Sequence, residues 1–371
     1  MDRYFREGDR TSGFTVYGYP WAQALVSVLK QCGHGVTRKT VMRQTAKLRE
    51  LQRPSQEQIV LLITAALLVA FSLTLPGFAT TANLLNLVRS VSILGILGLG
   101  MGMIMISRGI DLGQTAIMSG AWIVSIMEMN AGLTTGVALV LGLSIALTIG
   151  AFNGVIIAFV GAPALFVTLA TGFVVFGLAL WFVQVLIVDL PQGATGVLFV
   201  GQGQLLGLPM PILMFVGAAV LMHLFLSRTS VGRFIYAQGD NVEAARLTGI
   251  ALPRLIVLEY MLVALLAWLA GLVWAGSTGG MNMGITQGGG SLIFDVILVV
   301  VLGGISLVGG RGGVLSVVAG CALIGTLLNG FTIMDVNSEV QNIIKGVVLL
   351  GAIVLDNFLR PRDEETARQG D

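Results

Sequence analysis

Long apolar runs, separated by short polar or glycine-rich breaks, begin near residue 59 and continue to about residue 358. They are roughly 18–25 residues long, the length that crosses a bilayer as a helix. The alternation of period two that marks a membrane β-strand is absent from them. Ten spans are predicted, at 59–75, 91–107, 115–129, 135–159, 164–187, 210–227, 255–276, 292–308, 313–333 and 340–358. The second, third and eighth are short or interrupted by glycine. Breaks of that kind are tolerated at membrane depth only where the backbone is buried in protein or lines a cavity.

Composition agrees with this pattern. Hydrophobic residues make up 55% of the 371 and charged residues 11%, against about 25% charged in ordinary soluble domains. A water-soluble fold of this size needs more polar surface than that. The expected fold class is therefore an all-α polytopic membrane protein. The 50 glycines suit close approach of helices in lipid.

Charge sets the orientation. With the N-terminus inside, 19 of the 21 Lys and Arg residues fall on the inner side; Arg89 and Lys345, near outer ends of spans, are the exceptions. The outer loops carry Glu128, Asp189, Asp335 and Glu339 instead. This bias predicts an even number of spans and both termini in the cytoplasm. The longest inner loop, 228–254, divides the spans into two sets of five. An odd number per half gives the halves opposite orientations, so a duplication would be an inverted five-plus-five repeat. Gly150, Asn153 and Gly154 in the fourth span are echoed by Gly325, Asn329 and Gly330 in the ninth.

Three segments follow. Residues 1–58 form a cytoplasmic N-terminal extension holding ten of the 21 basic residues. Within it Met42 opens a second start leading directly into the first span, so residues 1–41 are expected to be divergent or to lie outside the expressed protein; a disordered tail is the alternative. Tyr19–Val28 has the makings of a short interfacial helix. No secretory signal precedes the first apolar run. Residues 59–358 form the transmembrane domain, and 359–371 a cytoplasmic tail. Cys32 and Cys321 have neither the number nor the spacing of a disulfide framework or metal site, and Cys321 reads as a small packing residue.

The loop 228–254 reads RTSVGRFIYAQGDNVEAARLTGIALPR. Asp240 or Asn241 can cap a helix starting near Val242, with Glu243 in its first turn where a negative charge suits the helix dipole. Gly249 is a natural stop, and Pro253 prevents continuation. The prediction is a short, stiff amphipathic helix on the cytoplasmic face, fastened at both ends to spans and suited to docking a soluble partner.

Residues 232–250, GRFIYAQGDNVEAARLTGI, resemble the coupling loop of the ABC-importer permeases for ribose, xylose, galactose and related solutes. SRGIDLG at 107–113 is similar to that family's Gly-Ile-Asp-Leu motif. The segment 294–320, FDVILVVVLGGISLVGGRGGVLSVVAG, is similar to its Asp-plus-glycine segment ending in Gly-Gly-Arg-Gly. The three motifs occur in family order, and the resemblance spans about 58–358. It implies a homo- or heterodimer of permeases in the bacterial inner membrane, with two ATP-binding cassettes below and a periplasmic solute-binding protein above. It also implies that Glu243, Ala244, Ala245, Arg246 and Gly249 form the cassette-docking element, and that the solute is a sugar or sugar-like molecule moved by alternating access. The chain departs from the family where Asp111 and Leu112 are followed by Gly113, Gln114 and Thr115, and where Ser277–Ser291 lacks the usual Gln-Pro and Tyr-Glu-Leu elements. Both departures leave the solute open.

No GxxxxGK[ST] occurs, and GGRGGVLS lacks the lysine that reaches phosphates. Its glycines suit a tight turn between antiparallel spans. The chain is therefore expected not to be an enzyme itself, with ATP hydrolysis on a separate subunit, and no cofactor, metal or nucleic-acid site is expected. An ion-coupled secondary transporter is the alternative; it needs carboxylates at membrane depth, and Asp111 is the nearest candidate. A non-transporting membrane scaffold is a second.

Candidates for the translocation path or its gates are Asp111, Asn153, Asp295 and Asn329. A carboxylate at membrane depth is costly, so Asp111 is expected to pair, with Arg108 three residues away as the nearest partner, or to gate. Asp295 is expected to face periplasmic water, cap its helix or line the path. Asn153, Gln184, Asn329, Gln341 and Asn342 are expected to form interhelical hydrogen bonds. Lys345 is expected to snorkel outward. His223 lacks a partner at helical spacing for a proton relay. Met101, Met103 and Met105 share no single helix face and read as packing.

Overall fold

The computed structural model describes residues 56–286 and 291–359. Residues 1–55 of the N-terminal extension, with Met42 and the expected interfacial helix Tyr19–Val28, and the tail beyond Leu359 lie outside them.

All ten predicted spans coincide with helices. These are α1 (Gln56–Thr74), α2 (Thr81–Ile106), α3 (Gln114–Asn130), α4 (Thr135–Val155, continued by a π-helical turn Ile156–Val160) and α5 (Ala164–Val183). After a short helix α6 (Thr195–Gln202) come α7 (Met210–Arg228), α8 (Ser230–Asp240), α9 (Val242–Leu247) and α10 (Leu252–Thr278). The chain finishes with α11 (Ser291–Gly303), α12 (Val314–Ile333) and α13 (Ser338–Leu359). By length and composition α1, α2, α4 with its π turn, α5, α7, α10 and α12 are able to cross a membrane.

The second span is a correction to the expected short, glycine-interrupted element. It begins at Thr81 rather than residue 91 and runs unbroken for 26 residues. Asn83, Asn86, Arg89 and Ser90 in its first turns mask it from a hydropathy reading. Thr80 starts it, in extended conformation and accepting the Asn83 N–H at 3.4 Å. From Val91 to Ile106 every residue is buried. A helix apolar all round belongs at the centre of a bundle, and this one packs on α7, α10, α11 and α12. Its glycines make room for neighbours, Gly95 for Phe215 of α7 and Gly102 for Ile305 and Val317. Met101, Met103 and Met105 are all buried because every face of α2 is covered.

The third and eighth spans are short as expected, 17 residues in α3 and 13 in α11. They occupy corresponding places. α3 packs on α4, α5 and α10, whereas α11 packs on α12, α13 and α2. The α11–α12 crossing is close because Gly303 lies on the Ser316 carbonyl and Gly320 on the Val299 carbonyl, where a Cβ would strike backbone.

Large apolar side chains cover the outside: Phe166, Phe173 and Trp181 on α5, and Ile343, Val347 and Leu350 on α13. Apolar surface so extensive requires lipid or protein against it. At one end of the bundle, strand β1 (Ile187–Asp189) pairs antiparallel with a later strand (Gly280–Asn282), Ile187 opposite Asn282. Between them in sequence a two-residue-per-strand hairpin joins α6 to α7. The other end carries α8 and α9.

Candidate functional site

The loop 228–254 folds as two helices, not one. Thr229 caps α8 by accepting the Gly232 N–H at 3.0 Å. Asn241 then caps α9, its Oδ1 accepting the Ala244 N–H at 2.9 Å. Between the two alternatives for that cap, Asn241 is the one used. Glu243 sits in the first turn and Arg246 in the last, joined at 3.3 Å on the solvent side. Such an exposed i, i+3 pair adds only a few tenths of a kcal/mol. Ala245 points inward and is buried, whereas Leu247 is 87% exposed. Gly249 ends α9 with φ +84°, as the stop signal requires. Pro253 lies in the first turn of α10, where its missing N–H is harmless. The result is a short helix between α8 and α10 that presents Glu243, Arg246 and Leu247 outward.

Three distant segments meet against the end of α8. The first is 107–113, which leaves the buried end of α2. The second is the C-terminal turn of α8, and the third is the glycine-rich turn between α11 and α12. The Gly310 N–H donates to the Ile106 carbonyl at 2.8 Å. Arg108 donates through Nε to the Gly239 carbonyl at 2.8 Å and through Nη2 to the Asp240 carbonyl at 2.7 Å. Tyr236 donates its hydroxyl to the Gly312 carbonyl at 2.8 Å, and burial pushes that hydroxyl's pKa up, keeping it a neutral donor. The contact is backbone on backbone. A Cβ on Gly239 would collide with the Ile106 carbonyl, and Gly310, at φ +74°, lies against Asp240.

Beneath this junction lies a buried polar group that sequence reasoning missed. Glu259 of α10 is 1% exposed; its Oε2 accepts the Ser107 hydroxyl at 2.9 Å. Gln238 of α8 donates to the Ser107 carbonyl at 3.3 Å, and Tyr260 donates to the Ile110 carbonyl at 3.1 Å. The signal for Glu259 was present, a lone carboxylate inside the apolar run of α10. On the far side of the turn, Ser316 accepts the Gly313 N–H at 3.2 Å and donates to Glu57 of α1 at 2.7 Å. Helices α1, α2, α8, α10 and α12 are thus tied together at one end of the bundle.

The expected pairing of Arg108 with Asp111 does not occur. Helix α2 ends at Ile106, so the i, i+3 rule for helix faces does not reach across these residues. Asp111 is wholly buried, and its Oδ1 accepts the Gly113 N–H at 2.9 Å, shaping the bend into α3. Asp295 does not face water. It is 6% exposed and forms an ion pair of 2.8 Å with Lys345 of α13, which therefore does not snorkel. Each charge makes burial of the other tolerable.

Asn329 and Asn83 exchange two amide hydrogen bonds of 2.9 Å each, linking α12 to α2 as an interhelical contact. Asn329→Leu should therefore leave the Asn83 Oδ1 without its donor, while Nδ2 keeps its bond to the Phe78 carbonyl at 2.8 Å, and lower stability by about 1 kcal/mol. The double replacement Asn83→Leu/Asn329→Leu should recover only part of it, because the Phe78 bond is lost as well. Thermal unfolding in detergent, read as a double-mutant cycle, checks both. Asn153 is also fully buried, on the α4 face that carries Gly150 and Gly154 onto α10, and its amide atoms find no partner among the described residues. Gln184 instead ends α5 in left-handed conformation, Gln341 donates to the Val336 carbonyl of its own loop, and Asn342 is exposed. The four path candidates are therefore dispersed, Asp111 and Asn153 against α10 and its surroundings, Asn329 against α2, and Asp295 against α13.

The structure thus defines a polytopic helical membrane protein whose 228–254 loop folds into two helices, α8 seated on a junction of glycine turns and α9 exposed beside it. Comparison with known proteins makes the class specific. Residues 83–353 match the family described as "Branched-chain amino acid transport system / permease component", and the chain belongs to that permease family. It is 35% identical over 290 residues to the ribose import permease protein RbsC of Bacillus subtilis (strain 168), covering 78% of this chain and 89% of the relative. It is 34% identical over 307 residues to the ribose import permease protein RbsC of Escherichia coli (strain K12), covering 80% and 92%. The L-arabinose transport system permease protein AraH of the same strain is 32% identical over 300 residues, covering 81% and 90%. No solved structure matches.

Proposed function

We propose that this chain is the membrane-spanning subunit of an ATP-driven importer for a pentose or similar sugar in a bacterial inner membrane. The observation that carries the reading is the convergence of 107–113, 232–250 and 304–313 at a single junction. These lie within the three segments that resemble the ABC permeases, and the side-chain bonds that join them bridge 76 to 132 residues of sequence. The names of the relatives support the choice of a sugar.

In this reading ten helices cross the membrane in an inverted five-plus-five repeat, with both termini in the cytoplasm. Mirrored packing supports the repeat. Helix α4 lays Gly150 on α10, as α12 lays Gly325 on α2; short α3 abuts α10, as short α11 abuts α2. An ATP-binding cassette docks on Glu243, Ala244, Ala245, Arg246 and Gly249. Its closure moves α9, and the junction passes that motion to α2, α10 and α12, giving alternating access. A second permease copy completes the path, with Asp111, Asn153, Asp295 and Asn329 as its gating or lining positions. A periplasmic solute-binding protein delivers the sugar. The catalytic work lies with the cassette.

One observation favours ion coupling instead: Glu259 joins Asp111 as a second buried carboxylate near the junction. Its bond to Ser107 gives it a structural task that needs no ion. The reading is tested by purifying the complex through this chain. A companion with GxxxxGK[ST] and ATPase activity in the purified material is expected; recovery of a chain that transports without such a companion would refute it.

A further inference from the structure

Resting on the docking role proposed for α9, we infer that Arg108 is the positioning residue that couples this helix to the central span. Arg108 occupies the position just past the end of α2 with φ +69°. Glycine is the residue that takes this left-handed position without strain, and an L side chain there is disfavoured. The neighbouring N–H groups show the usual helix-ending pattern, Arg108 donating to Met105 and Gly109 to Ile104. The backbone alone thus needs no arginine here.

The side chain shows what the strained position provides. Its two donors reach consecutive carbonyls at the C-terminus of α8, where a cation suits the helix dipole. One residue later Asn241 caps α9. The guanidinium, two residues past the end of α2, therefore holds the C-terminus of α8, whose last residue Asp240 adjoins the α9 cap Asn241. Because α2 is buried along its length from Val91 to Ile106, a displacement of its end cannot be absorbed locally; packed interiors shift as units. Arg108 is itself exposed, so its contribution to stability is small. Its contribution is to direction of motion. Gly309, whose Cβ would meet the Arg108 side chain, keeps the space it needs.

Arg108→Gly separates these roles, because it relieves the backbone while removing the tether. The purified complex would carry spin labels at Leu247 on α9 and at Ala82 near the opposite end of α2. Distances would be measured by pulsed electron resonance without nucleotide and with ATP and vanadate. In the unaltered complex the labels should change separation on trapping. In Arg108→Gly the unfolding temperature should be unchanged or higher, ATP hydrolysis should persist, and the change in separation should shrink to what the remaining contacts at the end of α2 still carry. ATP-driven uptake should fall about tenfold, the scale of a lost coupling contact. Arg108→Lys should restore only part, since an ammonium lacks the fork that spans two carbonyls. An unchanged shift and uptake in Arg108→Gly would overturn the inference alone. No shift on trapping in the unaltered complex would overturn the docking reading beneath it.

Discussion

Replacing Lys345 with methionine is expected to destabilise the protein by about 3–5 kcal/mol, because it strands Asp295 as an unpaired buried charge. The pair is 2.8 Å long, with side chains 13% and 9% exposed, and joins α11 to α13. Around Lys345 lies a small apolar pocket lined by Leu298, Ile324, Leu327 and Val348, which offers the orphaned carboxylate nothing in exchange. Asp295→Asn alone should cost less, since an amide carries no charge to bury. The double variant Lys345→Met/Asp295→Leu should return close to the starting stability, because a buried ion pair gives little net stabilisation over well-packed apolar residues. Thermal unfolding of all four proteins in the same detergent reads the cycle. A single-variant loss below about 1 kcal/mol would mean that water reaches the pair.

Gly239→Ala should also be damaging, at about 2–3 kcal/mol. The added methyl would sit on the Ile106 carbonyl and crowd the Gly310 N–H, so the backbone junction cannot close. Backbone on both sides leaves no flexible side chain to yield. Loss of folded protein, together with increased protease cutting within 228–254, is the expected outcome. The contrast with Gly249 is instructive. That residue has open space around its missing Cβ and only its φ of +84° to defend. Gly249→Ala should therefore cost about 1–2 kcal/mol, confined to the end of α9.

Much of this architecture was legible from hydropathy, because lipid demands apolar runs of fixed length and every predicted span proved to be a helix. The short helix α9 was legible for a different reason. A cap, a first-turn acid and a stop glycine are local signals, and local signals do not depend on the fold around them. What could not be read were the partners across the bundle. Asp295 and Lys345 are 50 residues apart in sequence, and nothing in either helix says that their polar faces meet. Arg108 was assigned to Asp111 by a rule that holds only inside a helix, and α2 ends two residues too soon. The early start of α2 was hidden because its first turns carry Asn83 and Arg89, which look like a loop until Asn329 is seen across from Asn83. Glu259 is the exception, because a single carboxylate within an apolar run is visible in the sequence itself.

In the proposed mechanism the glycine-rich turns of the junction have a clear use. Backbone-to-backbone seats such as Ile106 against Gly310 have no rotamers to change, which suits them to passing on a displacement. Side-chain ties at Arg108, Tyr236 and Ser107 would then set its direction.

The central claim is that movement in the membrane is driven by a separate ATPase through this end of the bundle. It is tested most directly in sealed proteoliposomes holding the complex purified through this chain, its solute-binding protein and labelled ribose or arabinose. The account predicts accumulation of one of the sugars that requires ATP on the α9 side and survives collapse of proton and sodium gradients. Accumulation driven by an imposed ion gradient with no ATP present would contradict it.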